Sequence, residues 1–83
     1  MHYVYIIQSQ TSGRFYIGST KDLKDRVKGH NSGKTPYTRN KGPWKLVYRE
    51  EYPTRIDAIK RENAIKMRKS RGFIEKLIDG FSK

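Results

Sequence analysis

Two short runs rich in aromatic and β-branched residues, His2 to Ile7 and Phe15 to Gly18, stand on either side of a linker of turn formers, Ser9 to Gly13. Alternation of this kind marks half-buried strands, and the linker joins them as a β-hairpin. A chain that begins this way must build a sheet, and at 83 residues that sheet has to carry the one modest core available. A chain of this length hides only about 60–65% of the surface that its unfolded form exposes. There is no cysteine, so neither a disulfide nor a thiolate zinc site supports the fold, and apolar packing must do so. With the turn centred near Gln10 and Thr11, Tyr5 and Tyr16 come close to opposite each other on one face of the hairpin.

Helical patterns fill much of the remainder. Asp22 can cap a helix in which Leu23, Arg26, Val27 and His30 form one stripe, weakened by Gly29 and ended by Gly33. Arg26 and His30 then share the face of Leu23 and Val27 and should meet the sheet, where burial of a polar group has to be offset by a partner. From Asn31 to Pro43 the composition reads as an exposed loop that orders on a ligand. Trp44 to Tyr52 returns to strand character, with Trp44, Leu46 and Tyr48 expected on one face and Val47 on the other, and Pro53 stops it. Thr54 with Asp57 opens a second helix, and Ser70 starts a third with an apolar face of Phe73, Ile74, Leu77, Ile78 and Phe81. The expectation is one domain over residues 1–83, α+β, with a three-stranded antiparallel sheet flanked by about three helices.

Charge narrows the partner. Nineteen Lys and Arg against eight Asp and Glu give a net charge of +11, a self-repulsion that a polyanion relieves. One cluster is Lys34, Tyr37, Arg39 and Lys41, and a second is Lys66, Arg68, Lys69 and Arg71; phosphate contact with counterion release is the natural use for both, against a merely solubilising surface. Nucleic acid is favoured over an anionic membrane, because there is no strongly amphipathic basic terminal helix. Apolar runs are far shorter than the roughly 20 residues that span a bilayer, and the N-terminus lacks a signal-peptide pattern, so a soluble cytoplasmic protein is expected.

Glu62 is the most telling single position. On a helical wheel it lies between Ile59 and Ile65, with Ala58 one turn before, so an acid sits inside an apolar arc. A carboxylate there either pairs with a basic residue or ligates a metal.

Taken in order, these segments resemble the GIY-YIG nucleases, a module of homing endonucleases, some restriction enzymes and the incision subunit of nucleotide excision repair. Tyr3-Val4-Tyr5 stands where that family has Gly-Ile-Tyr, and Tyr16-Ile17-Gly18 matches its second motif fully. Asp22-Leu23-x-x-Arg26-x-x-x-His30 fits the helix that follows, and Arg61-Glu62 falls where the metal-binding Glu is expected. Similarity covers nearly the whole chain and is greatest to small stand-alone members. Three positions depart from the pattern: Tyr3 replaces a Gly, Ser19 stands where the repair subunit has Lys, and no Asn follows Asn63.

The resemblance implies a GIY-YIG fold and a divalent-cation-dependent endonuclease acting on DNA or structured nucleic acid, DNA ahead of RNA, and so small a footprint points to low intrinsic sequence specificity. The resemblance further implies Tyr5 as general base or water-aligning phenol, Tyr16 as a hydrogen-bonding partner and Arg26 as the clamp on the scissile phosphate. His30 would assist proton transfer or bind phosphate, and Glu62 would hold one Mg²⁺ or Mn²⁺. A phenol of pKa near 10 falls about three units short of a ready base at neutral pH, and a neighbouring cation supplies roughly 1–3 of them. The alternative from another class is a non-catalytic nucleic-acid or ribonucleoprotein adaptor on the same scaffold, binding with salt sensitivity and no turnover.

Overall fold

The computed structural model describes residues 1–82. Three strands, β1 (His2–Ser9), β2 (Phe15–Thr20) and β3 (Trp44–Tyr52), form one antiparallel sheet in the order β2-β1-β3. Three helices complete the α+β fold: α1 (Leu23–Asn31), α2 (Arg55–Arg68) and α3 (Arg71–Ser82). Each helix starts where a short side-chain oxygen satisfies an orphan amide. Asp22 accepts from the Asp25 amide at 3.0 Å, Thr54 from Asp57 at 3.2 Å and Ser70 from Phe73 at 3.2 Å.

The central strand is sealed on both sides, which is why Val4, Tyr5, Ile6 and Ile7 form a continuous apolar run. Val4 packs with Ala58 and Ile65 of α2 and with Phe73, Ile74 and Leu77 of α3. Tyr5 and Ile7 face the other way, onto Trp44, Tyr16, Leu46 and the Leu23–Val27 stripe of α1. The expected apolar face of α3 is thus seated through its first two turns, whereas Phe81 is exposed and meets Tyr48 edge-on at 5.6 Å.

Three expectations are corrected. The hairpin register pairs Tyr5 with Gly18 and Ile7 with Tyr16, so the two phenols are diagonal neighbours on one face and not directly opposite. The cause is a turn centred one residue later than expected. Ser9 Oγ accepts the amides of Thr11 and Ser12 at 3.2 and 3.1 Å, and Gly13 closes the loop at φ +77°, in the left-handed region that favours glycine. In β3, a bulge between the partners of Ile6 and Ile7 makes Val47 the extra residue; Trp44 and Leu46 keep the α1 side, and Tyr48 turns to the α2 and α3 side.

The segment from Asn31 to Pro43 is mostly exposed, as expected, but it is tethered by its own hydrogen bonds and does not wait on a ligand for order. Asn31 brackets the Trp44 backbone, donating to its carbonyl at 2.9 Å and accepting its amide at 2.6 Å. The Trp44 indole donates to the Thr38 carbonyl at 3.0 Å, Ser9 Oγ donates to the Lys41 carbonyl at 2.7 Å, and Thr38 is buried.

On the α2 side, Glu50 ties sheet to helix. It accepts from Arg61 Nε at 3.0 Å and Nη2 at 3.1 Å, from the Tyr52 hydroxyl at 2.5 Å and from the Tyr48 hydroxyl. Burial raises the Glu50 pKa, but the hydrogen bonds from Arg61, Tyr48 and Tyr52 outweigh it and hold the carboxyl below its ordinary value. A carboxyl depressed on folding stabilises above its unfolded pKa of about 4.3, and that stability is lost as pH falls through the folded value. Glu50→Gln is therefore expected to cost about 1–3 kcal/mol at neutral pH, since the pair is only partly buried. Thermal unfolding between pH 3 and 7 checks this: the loss should shrink below about pH 4.3.

Candidate active site

The site is built over Gly18. A Cβ at this position would lie 2.5 Å from Tyr5 Oη and 2.7 Å from its Cζ, so the Tyr5 ring crosses β2 only because its cross-strand partner has no side chain. That crossing delivers the phenol to α1. Tyr5 Oη lies 2.8 Å from His30 Nε2, and His30 Nδ1 lies 2.8 Å from Thr38 Oγ1. Both His30 and Thr38 are buried.

The direction of these bonds follows from the last link. The Thr35 carbonyl, 3.3 Å from Thr38 Oγ1, can only accept a hydrogen bond; with the Thr38 proton assigned to it, Oγ1 accepts from His30 Nδ1–H. Nε2 is then the unprotonated nitrogen, and the Tyr5 hydroxyl donates to it. Burial, and after it the nearby Arg26 charge, lowers the His30 pKa below the ordinary histidine value, which keeps the ring a neutral proton acceptor at pH 7.

Burial also pushes the Tyr5 phenol up to about 12, reinforced by Tyr16, opposed by the Arg26 guanidinium and raised again by the Glu62 carboxylate. Arg26 does ease deprotonation, as expected of a neighbouring cation, but burial outweighs it. Arg26 and Glu62, one on each helix, both bear on the Tyr5 hydroxyl. Arg26 itself is exposed, at the edge of the stripe and not beneath it, where its guanidinium is open to an incoming anion.

Tyr16 lies beside the pair with its ring tilted to both, its centroid 6.5 Å from Tyr5 and 4.9 Å from His30. The Tyr5 hydroxyl is hydrogen-bonded to His30. Tyr37 continues the aromatic row at 5.5 Å from Tyr16, with Lys41 Nζ 4.8 Å above its ring. Arg39 is turned back onto the Gly33 carbonyl at 2.9 Å, while Lys34 is exposed beside the end of α1.

The second basic cluster divides. Lys66, Lys69 and Arg71 line one groove with Arg14 and Phe15. Arg68 instead covers Phe73 at 4.2 Å. Glu62 is engaged by Lys66 at 2.6 Å across one helical turn, the pairing that its place in the apolar arc allowed. Among the described residues no group of three or more His, Cys, Asp or Glu converges, so a metal here would have one protein carboxylate. A small hard cation takes one or two carboxylates and completes its shell with water and substrate phosphate, so the donor set fits Mg²⁺ or Mn²⁺ and no softer metal.

Thr38 is the participant that the sequence left unmarked. It lies in the middle of the tethered segment, and nothing local distinguishes it from Thr35.

Comparison with known proteins agrees with this geometry. The sequence model of the GIY-YIG catalytic domain matches residues 1–76. A UPF0213 protein of Staphylococcus epidermidis is 46% identical over 66 residues, 78% of this chain and 79% of that protein. A UPF0213 protein of Staphylococcus aureus is 44% identical over the same length. The solution NMR structure of the UPF0213 protein of Bacillus halodurans is similar with a TM-score of 0.58 at 39% identity, over 94% of this chain and 82% of that one.

Proposed function

Because this chain belongs to the GIY-YIG catalytic-domain family, we propose that it is a divalent-cation-dependent endonuclease that hydrolyses phosphodiester bonds in DNA or structured nucleic acid. The supporting observation is the directed proton path from Tyr5 through His30 to Thr38, which starts at a hydroxyl flanked by Arg26 and Glu62. Hydrolysis needs an aligned nucleophile, a place for its proton and compensation of charge on the pentacoordinate phosphorus.

Tyr5 is fully buried, so the step needs its cover to shift with substrate; its Oη then takes a proton from the attacking water as its own proton passes to His30 Nε2. A free phenolate would be costly: with a pKa of about 12, ionisation at pH 7 requires roughly 7 kcal/mol. Transfer to a bonded neutral imidazole avoids forming that anion alone, and the imidazolium keeps its Nδ1–H on Thr38. Arg26 faces the phosphate with a planar fork that matches two of its oxygens, which an ammonium cannot do. A divalent cation held by Glu62 would supply further charge neutralisation and stabilise the leaving oxygen. Lys66 holds that carboxylate in place until it is so used.

Such a small footprint does not read long sequences, so shape, single-strandedness or a partner selects the target. No helix among the described residues is long and apolar enough to cross a membrane. One observation favours the adaptor alternative: the Glu62–Lys66 pair is already satisfied. A single assay separates the two. Labelled duplex, branched and single-stranded DNA is incubated with Mg²⁺ or Mn²⁺ and with chelator. Glu62→Gln and Arg26→Ala should each lose about 10²–10³-fold of the nicking rate. Both should keep the melting profile and most of the binding. Unchanged cleavage in either variant overturns the assigned roles, and salt-sensitive binding with no metal-dependent nicking by any form supports the adaptor.

A further inference from the structure

At the Thr20 end of β2, α1 and α2 enclose a cleft of about 340 Å³ lined by His2, Ser19, Thr20, Lys21, Arg26 and Arg55. Three permanent cations converge there, and no carboxylate lines it. In the groove at the other end of β2, Lys66 is paired with Glu62 and Arg71 with Glu75 at 3.4 Å, while Arg14 and Lys69 form no ion pair among the described residues. Lys21, Arg26 and Arg55 form no ion pair among the described residues. The Ser19 hydroxyl likewise has no hydrogen-bond partner there, whereas Thr20 is occupied by the backbone of Asp22. Like charges gathered without a counter-charge are unfavourable until an anion enters.

From this geometry we infer that the cleft is a second phosphate subsite: Lys21 and Arg55 grip the backbone phosphate adjoining the one held by Arg26, and Ser19 donates to it. The inference rests on the hydrolysis reading for calling that strand the substrate. It also gives the strand a course. β2 is the edge of the sheet, six residues long, or about 17–20 Å. Its other end carries the groove of Arg14, Lys66, Lys69 and Arg71, and Gly18 with the Tyr5 hydroxyl lies between the two. One nucleic-acid strand laid along this edge meets cations at both ends and the proton path in the middle. Its phosphates, about 3.4 Å apart along a duplex axis, would number about five over that length.

Binding of the full chain to labelled duplex is measured by anisotropy from 50 to 300 mM salt, for the unaltered protein, Lys21→Ala, Arg55→Ala and the double variant. Lys76→Ala, on exposed α3, is the control. Each cleft substitution should reduce the slope of log K against log salt by about 0.9, and the control should not. A scan of single neutral methylphosphonates along the strand then locates the contact: one position that weakens binding to the unaltered protein should become silent in the double variant. An unchanged slope, or full additivity at every scanned position, overturns the subsite and leaves hydrolysis standing. Absence of cleavage with the slope change and silent position intact removes hydrolysis alone. Circular dichroism of each variant establishes that it is folded, and Arg55→Lys should retain the slope.

Discussion

Tyr5→Phe is expected to lower the single-turnover cleavage rate by about 10²–10⁴-fold, the range for loss of a positioned proton-transfer group. The ring still fills its place over Gly18, but the hydroxyl that connects water to His30 is gone. His30 Nε2 is left buried without a donor, at a cost of about 1–3 kcal/mol, so melting must be followed beside kinetics. The pH profile separates chemistry from stability. His30 must be neutral to accept the proton, and its pKa is lowered, so kcat/KM of the unaltered protein should hold down to pH 6.5 and fall only below it as the ring charges. That acid limb should be missing from the residual activity of Tyr5→Phe. A variant that cleaves within about threefold of the unaltered protein would show that the phenol carries no proton.

Gly18→Ala removes no polar group and yet should damage both fold and site. The new methyl would stand 2.5 Å from Tyr5 Oη and 2.7 Å from Cζ, and the ring is completely buried with no open space to swing into. Overpacking of this kind costs about 1–3 kcal/mol, and the displaced hydroxyl should lose His30 Nε2 and with it most of the cleavage. A double variant tells direct overlap from a general weakening of β2. Adding Tyr5→Phe removes the oxygen nearest the methyl, so Gly18→Ala should cost less in that background, by at least about 0.5 kcal/mol. Additive losses in denaturant unfolding would mean that the overlap is relieved elsewhere.

What could be read from the residues and what could not divides along a physical line. Strand and helix identity are local. Alternation in His2 to Ile7, the cap at Thr54 and the periodic face of α3 announce themselves within a few positions, and the structure has them. Register is set by one hydrogen-bonded turn, and Ser9 Oγ on two following amides moved it by one residue. The bulge at Val47 had no local mark, because the residue that is extra depends on the partner strand. Thr38 stayed hidden for a similar reason: its burial follows from Trp44 and Asn31 drawing the segment inward, a tertiary effect on an unremarkable Ser/Thr/Pro stretch. The gathering of Tyr5, Tyr16, Arg26 and His30 was legible from motif order, while the bond direction that gives His30 its protonation state required Thr35 and Thr38.

The irregularity in β3 has an evolutionary corollary. Because two residues there answer to one on β1, excision of Val47 would restore simple alternation with Trp44, Leu46 and Arg49 still on one side and Tyr48, Glu50 and Tyr52 on the other. Loss of another single residue between Trp44 and Glu50 would also absorb the bulge and leave both ends in place, but the residues between that position and 47 would change sides, as when loss of Leu46 seats the smaller Val47 against α1. Natural length variation among descendants of this chain should therefore concentrate at position 47.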